Sequence, residues 1–293
     1  MDIWHRIGYI FRFSNFGAFV FLFLNIGLMF LILLYVGLNE INVLIFVSLY
    51  ILFFAVGLSP IGEWIFSLSL GAKDIKRNDI KLKLYPLLDI VCEQARQRSP
   101  YISKNIKLKI IQDDTINAFA VGRKTICVTR GLLKLEDEEI MSILAHEFGH
   151  IAYRHTLIQV LVTCSNVLVS IFLLIIKILC WIIAGFFSLF SFANKSYISG
   201  IIITLCAAFS SFLIWLWTKF CLLFLRWSMR ENEYLADEYA YLLGYGNMLA
   251  SVLDRSVCTQ PQKGFLKALY STHPSNDNRI AKLQKLGVEY SIY

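Results

Sequence analysis

Four stretches of the chain lack the alternation of apolar and polar positions that marks an element with one face in water. Phe16 to Val36 runs 21 residues without a charge, and Ile41 to Leu58 runs 18 before Ser59-Pro60 ends it. Leu157 to Phe190 holds a single charge, Lys177, in 34 residues, and Ser199 to Leu225 again holds one, Lys219. A helix needs about 20 apolar residues to cross the hydrocarbon core of a bilayer. The pattern therefore predicts transmembrane helices at 16–36, 41–58, 157–190 and 199–225. The third is longer than one perpendicular crossing requires, so it is expected to tilt or to continue as an interfacial piece.

The remainder is polar and falls into a short N-terminal segment, 1–15, and two larger pieces, 72–156 and 226–293. An even number of crossings separates the larger pieces, which places them on one side of the membrane, where they can fold together. Fifteen Lys and Arg lie between Ala72 and Thr156 and eight follow the last span, whereas the opposite loops hold only Lys195 and Glu40. By the positive-inside rule both termini and both polar pieces are expected in the cytoplasm. Composition agrees with this division: 57% of the 293 residues are hydrophobic and 17% charged, with a mean hydropathy of +0.60. Soluble domains carry about a quarter charged residues, so a disordered chain and an ordinary soluble enzyme are both excluded. The net charge of +7 sits beside the spans, where anionic lipid is a simpler partner than nucleic acid. Seven cysteines, none in C-x-x-C spacing and four inside apolar runs, argue against a disulfide framework or a cysteine-based zinc cluster.

The candidate chemistry begins at His146. Four acidic residues, Glu136 to Glu139, favour a helix N-terminus, and I-M-S-I-L-A-H-E-F-G-H-I-A after them keeps a helical period. His146 and His150 are four apart and share a face, which lets both imidazoles hold one zinc ion. Glu147 stands next to them, placed to take a proton from water. A hydrolytic zinc site wants a third protein ligand and one open position. His155 does not have the spacing for it. The extended three-histidine motif needs glycine three residues after His150 and histidine six after, where this chain has Tyr153 and Thr156, so His155 reads as an interfacial or structural residue. Glu231-Asn232-Glu233-Tyr234-Leu235-Ala236-Asp237 is the better source. Glu233 and Asp237 lie four apart on one helix face, one able to ligate and the other to hold a histidine N–H. Glu231 is a rival ligand on this reading.

HEFGH at 146–150 with ENEYLAD at 231–237 resembles the M48 family of zinc metalloproteases, and most closely its membrane-embedded HtpX-type branch. Asn117-Ala118-Phe119-Ala120 followed by Gly122 resembles the family's edge strand. Thr272-His273-Pro274 with Arg279-Ile280 resembles its C-terminal T-H-P…R-I element, although Ser275-Asn276-Asp277-Asn278 departs from the proline-containing version. The resemblance implies an α-rich multi-pass membrane protein, about four transmembrane helices, with a cytoplasmic α+β zincin-type metalloprotease domain. It makes Glu233 the third ligand of one Zn2+ per chain, with Asp237 supporting a histidine. Asn117, Ala118, Phe119 and Ala120 become a strand that takes substrate by edge addition. His273 is the expected donor to the oxyanion, with capping of the zinc as its rival role.

His150 lies seven residues before the third run and Glu233 eight after the fourth, which puts the metal about 10–12 Å beyond the spans at 1.5 Å per residue. Together with the resemblance, this implies a zinc-dependent endopeptidase at the cytoplasmic face of the plasma membrane, acting on membrane-associated or misfolded membrane proteins in quality control. A processing peptidase for lipidated C-terminal tails and a non-catalytic zinc-containing membrane scaffold are the alternatives. The expected partners are unfolded or membrane-protein substrates and the bilayer, not nucleic acid.

Overall fold

The structure is a computed structural model and describes residues 12–193, 197–255 and 275–290. After a 3-10 turn at Phe13–Asn15 come helices α1 (Phe16–Val36), α2 (Glu40–Gly57) and α3 (Pro60–Ser69). Strand β1 (Lys73–Asp74), helix α4 (Asn78–Arg98), and strands β2 (Lys107–Ile111), β3 (Ala118–Val121) and β4 (Thr125–Thr129) follow. Helices α5 (Asp137–Ala152), α6 (His155–Ala193), α7 (Tyr197–Leu242), α8 (Gly246–Arg255) and α9 (Asn276–Lys285) complete the described chain. Four of these helices, α1, α2, α6 and α7, are long and apolar enough to cross a membrane. The fold is that of a helix-rich multi-pass membrane protein with a small mixed sheet.

The chain divides into two compact units. One comprises Phe19–Phe54 and Val162–Leu225, and its described elements are all helices. Its interior is sparse: Met29, Tyr50, Leu168 and Val169 are buried, with Phe46, Phe54 and Phe172 packed around them. Tyr50 lies between Phe46 and Phe54, tilted to the first and edge-on to the second, at centroid distances of 5.1 and 5.6 Å. Most other large side chains of these helices, such as Leu31, Leu44, Ile182 and Phe209, are exposed. Apolar exposure on this scale suits a lipid solvent, which imposes no hydrophobic penalty on it.

The other unit gathers Met1–Ala18, Ala55–Leu161 and Arg226–Tyr293. Its sheet has the order β1-β2-β4-β3, with β2 and β4 parallel and the outer pairs antiparallel. The central strand β4, T-I-C-V-T, is buried along its whole length, as expected of a strand covered on both faces. Strand β3 lies at the edge. On one face of the sheet, Leu108, Ile110, Ile126 and Val128 join Leu84, Leu88 and Val91 of α4 and Ile140, Leu144 and Phe148 of α5 in the main core. The buried α4 residues recur at three- and four-residue intervals, the signature of one apolar helix face. Helix α5 starts where its acidic residues predict: the Glu136 N–H donates to the Glu139 carboxylate at 3.0 Å, and Glu139 also pairs with Arg255 of α8. Helices α8 and α9 close the core with Leu249, Leu253, Ile280 and Leu283.

Candidate active site

Helix α5 carries His146, Glu147 and His150 on a stretch buried from Ile143 to Ala152. Helix α7 runs without interruption from the fourth apolar run through Glu233 and Asp237. The two helices approach closely because residue 149 is glycine: a Cβ there would fall 2.8 Å from Ala236 Cα and 3.0 Å from Tyr239 Cβ. This contact lets Glu233, one turn from Ala236, reach the histidines.

His146 Nε2 lies 3.2 Å from His150 Nε2, and the Glu233 carboxylate lies 3.4 Å from each of them. Among the described residues these three are the group of His, Cys, Asp and Glu whose ligand atoms converge as a metal requires. The spacing fits zinc. Ligand atoms about 2.0–2.1 Å from a tetrahedral centre stand about 3.3 Å apart. The charge balance fits as well. Glu147, Glu233 and Asp237 face one guanidinium, that of Arg279, and this excess of carboxylates suits a bound cation. Glu231 is placed elsewhere, 3.7 Å from Lys282.

The ring orientation of each histidine is fixed from behind. Asp237 Oδ1 lies 2.8 Å from His146 Nδ1, which leaves Nε2 facing the convergence point. Arg279 grips Asp237 with two hydrogen bonds, Nε to Oδ2 at 2.8 Å and Nη2 to Oδ1 at 2.6 Å. On the other side, His150 Nδ1 lies 3.1 Å from His155 Nδ1. His155 is buried and opens α6 immediately after Arg154, whose φ of 59° is a left-handed conformation unusual outside glycine. That single turn separates α5 from α6 and brings His155 back beneath His150.

Burial and the Arg279 charge push the His146 imidazole down, but its hydrogen bonds to Asp237 and Glu233 outweigh both and raise it to about 9. Burial opposes the charge on Arg279 too, yet Asp237 and then Glu233 hold it above the ordinary guanidinium value. Both shifts express one fact: the pocket favours positive charge. The described cysteines are unpaired thiols, and burial lifts that of Cys127 to about 12, too high for a nucleophile at neutral pH.

Glu147 is tied to the sheet. The Ala120 N–H donates to Glu147 Oε2 at 2.6 Å, and the Ala118 N–H donates to the Asn117 side chain at 2.9 Å. Both amides point away from β4, so the outward amides of Ala118 and Ala120 at the outer edge of β3 are taken by side chains of the protein itself, while the carbonyls of the same residues face the same way. Asn117 stands just before the strand, its N–H donating to Thr129 Oγ1 at 2.9 Å, and Phe119 pairs with Cys127. The edge therefore runs past the carboxylate beside the metal cluster. His273 lies outside the described residues.

Two members of the site are not singled out by motif spacing. Arg279 appears in the sequence only within an R-I element, and His155 fails the ligand spacing; both act behind the metal-facing atoms.

The sequence profile of peptidase family M48 matches residues 87–287. Among curated proteins, the Protease HtpX homolog of Acaryochloris marina is 26% identical over 254 residues, covering 78% of this chain and 82% of that protein. The Protease HtpX homolog of Desulforapulum autotrophicum is 29% identical over 240 residues, covering 70% and 74%. Among solved structures, S. mikatae Ste24p shares 17% identity at a TM-score of 0.46; the match covers 88% of this chain and 61% of that one. With a family profile spanning more than half its length, the chain belongs to peptidase family M48 and is a membrane metalloprotease.

Proposed function

We propose that this protein is a zinc-dependent endopeptidase of the cytoplasmic face of the plasma membrane, using one zinc per chain to cleave membrane-associated or misfolded membrane proteins. His146, His150 and Glu233 would hold the metal. The observation that carries the reading is the hydrogen bond from Ala120 N to Glu147 Oε2, because it joins an edge strand, a carboxylate base and the ligand cluster in one place.

When bound, zinc supplies a Lewis acid that polarises water and the scissile carbonyl. An extended substrate segment would add to β3 by donating to the outward carbonyls of Ala118 and Ala120, whose own N–H groups are held by the Asn117 side chain and Glu147, with Asn117 and Phe119 flanking them. Backbone pairing of this kind selects for an unfolded stretch more than for a sequence. Glu147, held at Oε2, takes the proton of the attacking water on Oε1 and returns it to the leaving nitrogen as the peptide bond breaks. Asp237, locked by Arg279, keeps His146 oriented throughout. His273 is our candidate donor to the developing oxyanion. The cytoplasmic placement is supported by the excess of Lys and Arg in 72–156 and 226–293 over the opposite loops. A membrane-proximal substrate is supported by chain continuity, since Glu233 follows the fourth apolar run by eight residues on the same helix.

The test compares wild type with Glu147→Gln, purified in detergent with zinc, on a reporter membrane protein bearing an unfolded loop. Equal zinc content with a loss of roughly 10²–10⁴-fold in cleavage is expected from removal of a general base. Equal cleavage by the two proteins would overturn the reading. Equal cleavage of the same loop on a soluble reporter would overturn the membrane-substrate part alone.

A further inference from the structure

Helix α3 is built inside out for a helix on a water-soluble fold. Its sequence, P-I-G-E-W-I-F-S-L-S, turns Ile61, Trp64, Ile65 and Leu68 outward at i, i+3, i+4 and i+7, with exposures of 61%, 57%, 45% and 57%. The face turned to the protein is small and polar in part. Gly62 and Ser67 are buried, and Lys109 Nζ of β2 donates to Ser67 Oγ at 2.6 Å. The Glu63 carboxylate accepts the Arg123 N–H at 2.7 Å and faces Thr125 Oγ1 at 3.2 Å. Phe66 and, just past the helix, Leu70 contribute apolar contact in one cluster with Ala72, Ile111, Val121 and Cys127. In this unit, away from the four long helices, the other large exposed apolar residues described, such as Leu82, Ile90, Ile116 and Leu286, do not form such a stripe.

The place of α3 in the chain says what covers the stripe. Only Leu58 and Ser59 separate it from α2, the second apolar helix. Ser59 Oγ accepts the Gly62 N–H at 3.3 Å, so the chain turns there from one helix directly into the next. A ten-residue helix is too short to span a bilayer, but an apolar stripe with a tryptophan suits the interfacial layer. The turn that Glu63 grips carries Arg123 and Lys124, both exposed, a charge complement to anionic headgroups.

We propose that α3 lies in the membrane interface with Ile61, Trp64, Ile65 and Leu68 in the lipid, and that Glu63 fastens the β3–β4 turn to it. The partner is the bilayer surface itself, with anionic lipid at the basic turn. The edge strand is thereby held beside the lipid by an anchor separate from the four long helices. The lipid contact stands independently of catalysis; its consequence, a preference for substrates emerging at the membrane surface, rests on the protease reading above.

Benzoylphenylalanine placed at Trp64 or Ile65 of the full chain, reconstituted in phosphatidylcholine–phosphatidylglycerol vesicles, reads the contact directly. Ile51 in α2 serves as the lipid-exposed reference and Leu286 as the isolated exposed control. On irradiation, positions 64 and 65 should yield phospholipid adducts by intact mass at a level comparable with 51 and several-fold above 286. Adducts at 51 without adducts at 64 and 65 would overturn the proposal, and so would cross-linking of these positions to a second copy. Because the readout is a mass shift, a protein that never cleaves anything still tests it. In a cleaving preparation, Ile65→Glu should raise KM for a membrane-anchored substrate while leaving KM for a soluble peptide unchanged. An equal rise for both would sever the lipid contact from substrate choice.

Discussion

Gly149→Ala is the smallest change that tests how the site is assembled. The added Cβ would stand 2.8 Å from Ala236 Cα and 3.0 Å from both the Ala236 carbonyl oxygen and Tyr239 Cβ. Carbon atoms prefer about 3.5–4.0 Å, and the atoms in the way are mostly backbone, so α5 and α7 must part by roughly 0.7–1.2 Å. Overpacking of this size costs about 1–3 kcal/mol, while alanine regains about 1 kcal/mol of helix propensity over glycine. Net stability should therefore fall by no more than about 2 kcal/mol, and the protein should still fold. The site is less forgiving. Glu233 rides on α7 three residues before Ala236, and the 3.4 Å spacing of its carboxylate from both histidines would open towards 4 Å or more. A misplacement near 1 Å costs on the order of 10²-fold in rate. Zinc affinity by competition with a chromophoric chelator, turnover of a peptide substrate and the thermal midpoint separate the two effects. Gly185→Ala, where nothing lies within 4 Å, is the neutral control. Wild-type affinity and turnover in Gly149→Ala would refute the argument that close helix approach sets the ligand geometry.

Three further outcomes are expected. Asp237→Asn should weaken zinc binding by about 10–100-fold and take from Arg279 its closest counter-charge, leaving Glu233 at 3.7 Å, at a cost below the roughly 3–5 kcal/mol of a fully unpaired buried charge; adding Arg279→Met should recover stability without recovering affinity, as thermal denaturation and chelator competition would show. His155→Phe removes the partner of His150 Nδ1 and should lower zinc affinity by about 10–100-fold, whereas His155→Gln, which keeps an acceptor, should lose less; equal losses would reduce His155 to a packing role. After chelation, the proton on His146 stabilises the fold wherever the folded site holds it more tightly than the unfolded chain. Its folded value is raised from 6.5 to about 9. The contribution is thus complete below pH 6.5 and lost as pH rises towards 9, so the thermal midpoint of the chelated protein should fall across that window, and zinc uptake near neutral pH should release a proton.

Local pattern made part of this protein readable and left the rest hidden, and the dividing line is physical. The long apolar helices follow from length alone, and the pairing of His146 with His150 follows from a four-residue helical interval. Arg279 acts on His146 from 133 residues away, and no periodicity reaches that far. His155 was invisible as a partner of His150 for a different reason: its approach depends on Arg154 adopting a left-handed φ, and neither glycine nor asparagine stands there to signal it. The bond from Ala120 to Glu147 shows the limit most clearly. A strand and a helix each announce themselves, but the meeting of one backbone amide with one carboxylate is fixed by how β3 and α5 pack. Helix α3 inverts the usual inference altogether. Its stripe at 61, 64, 65 and 68 reads in isolation as a core face, and only the polar contacts of Glu63 and Ser67 on the opposite side reveal which way it points. In a chain where lipid and protein interior offer the same solvent to a side chain, apolar periodicity fixes the existence of a face; the polar partners decide what that face meets.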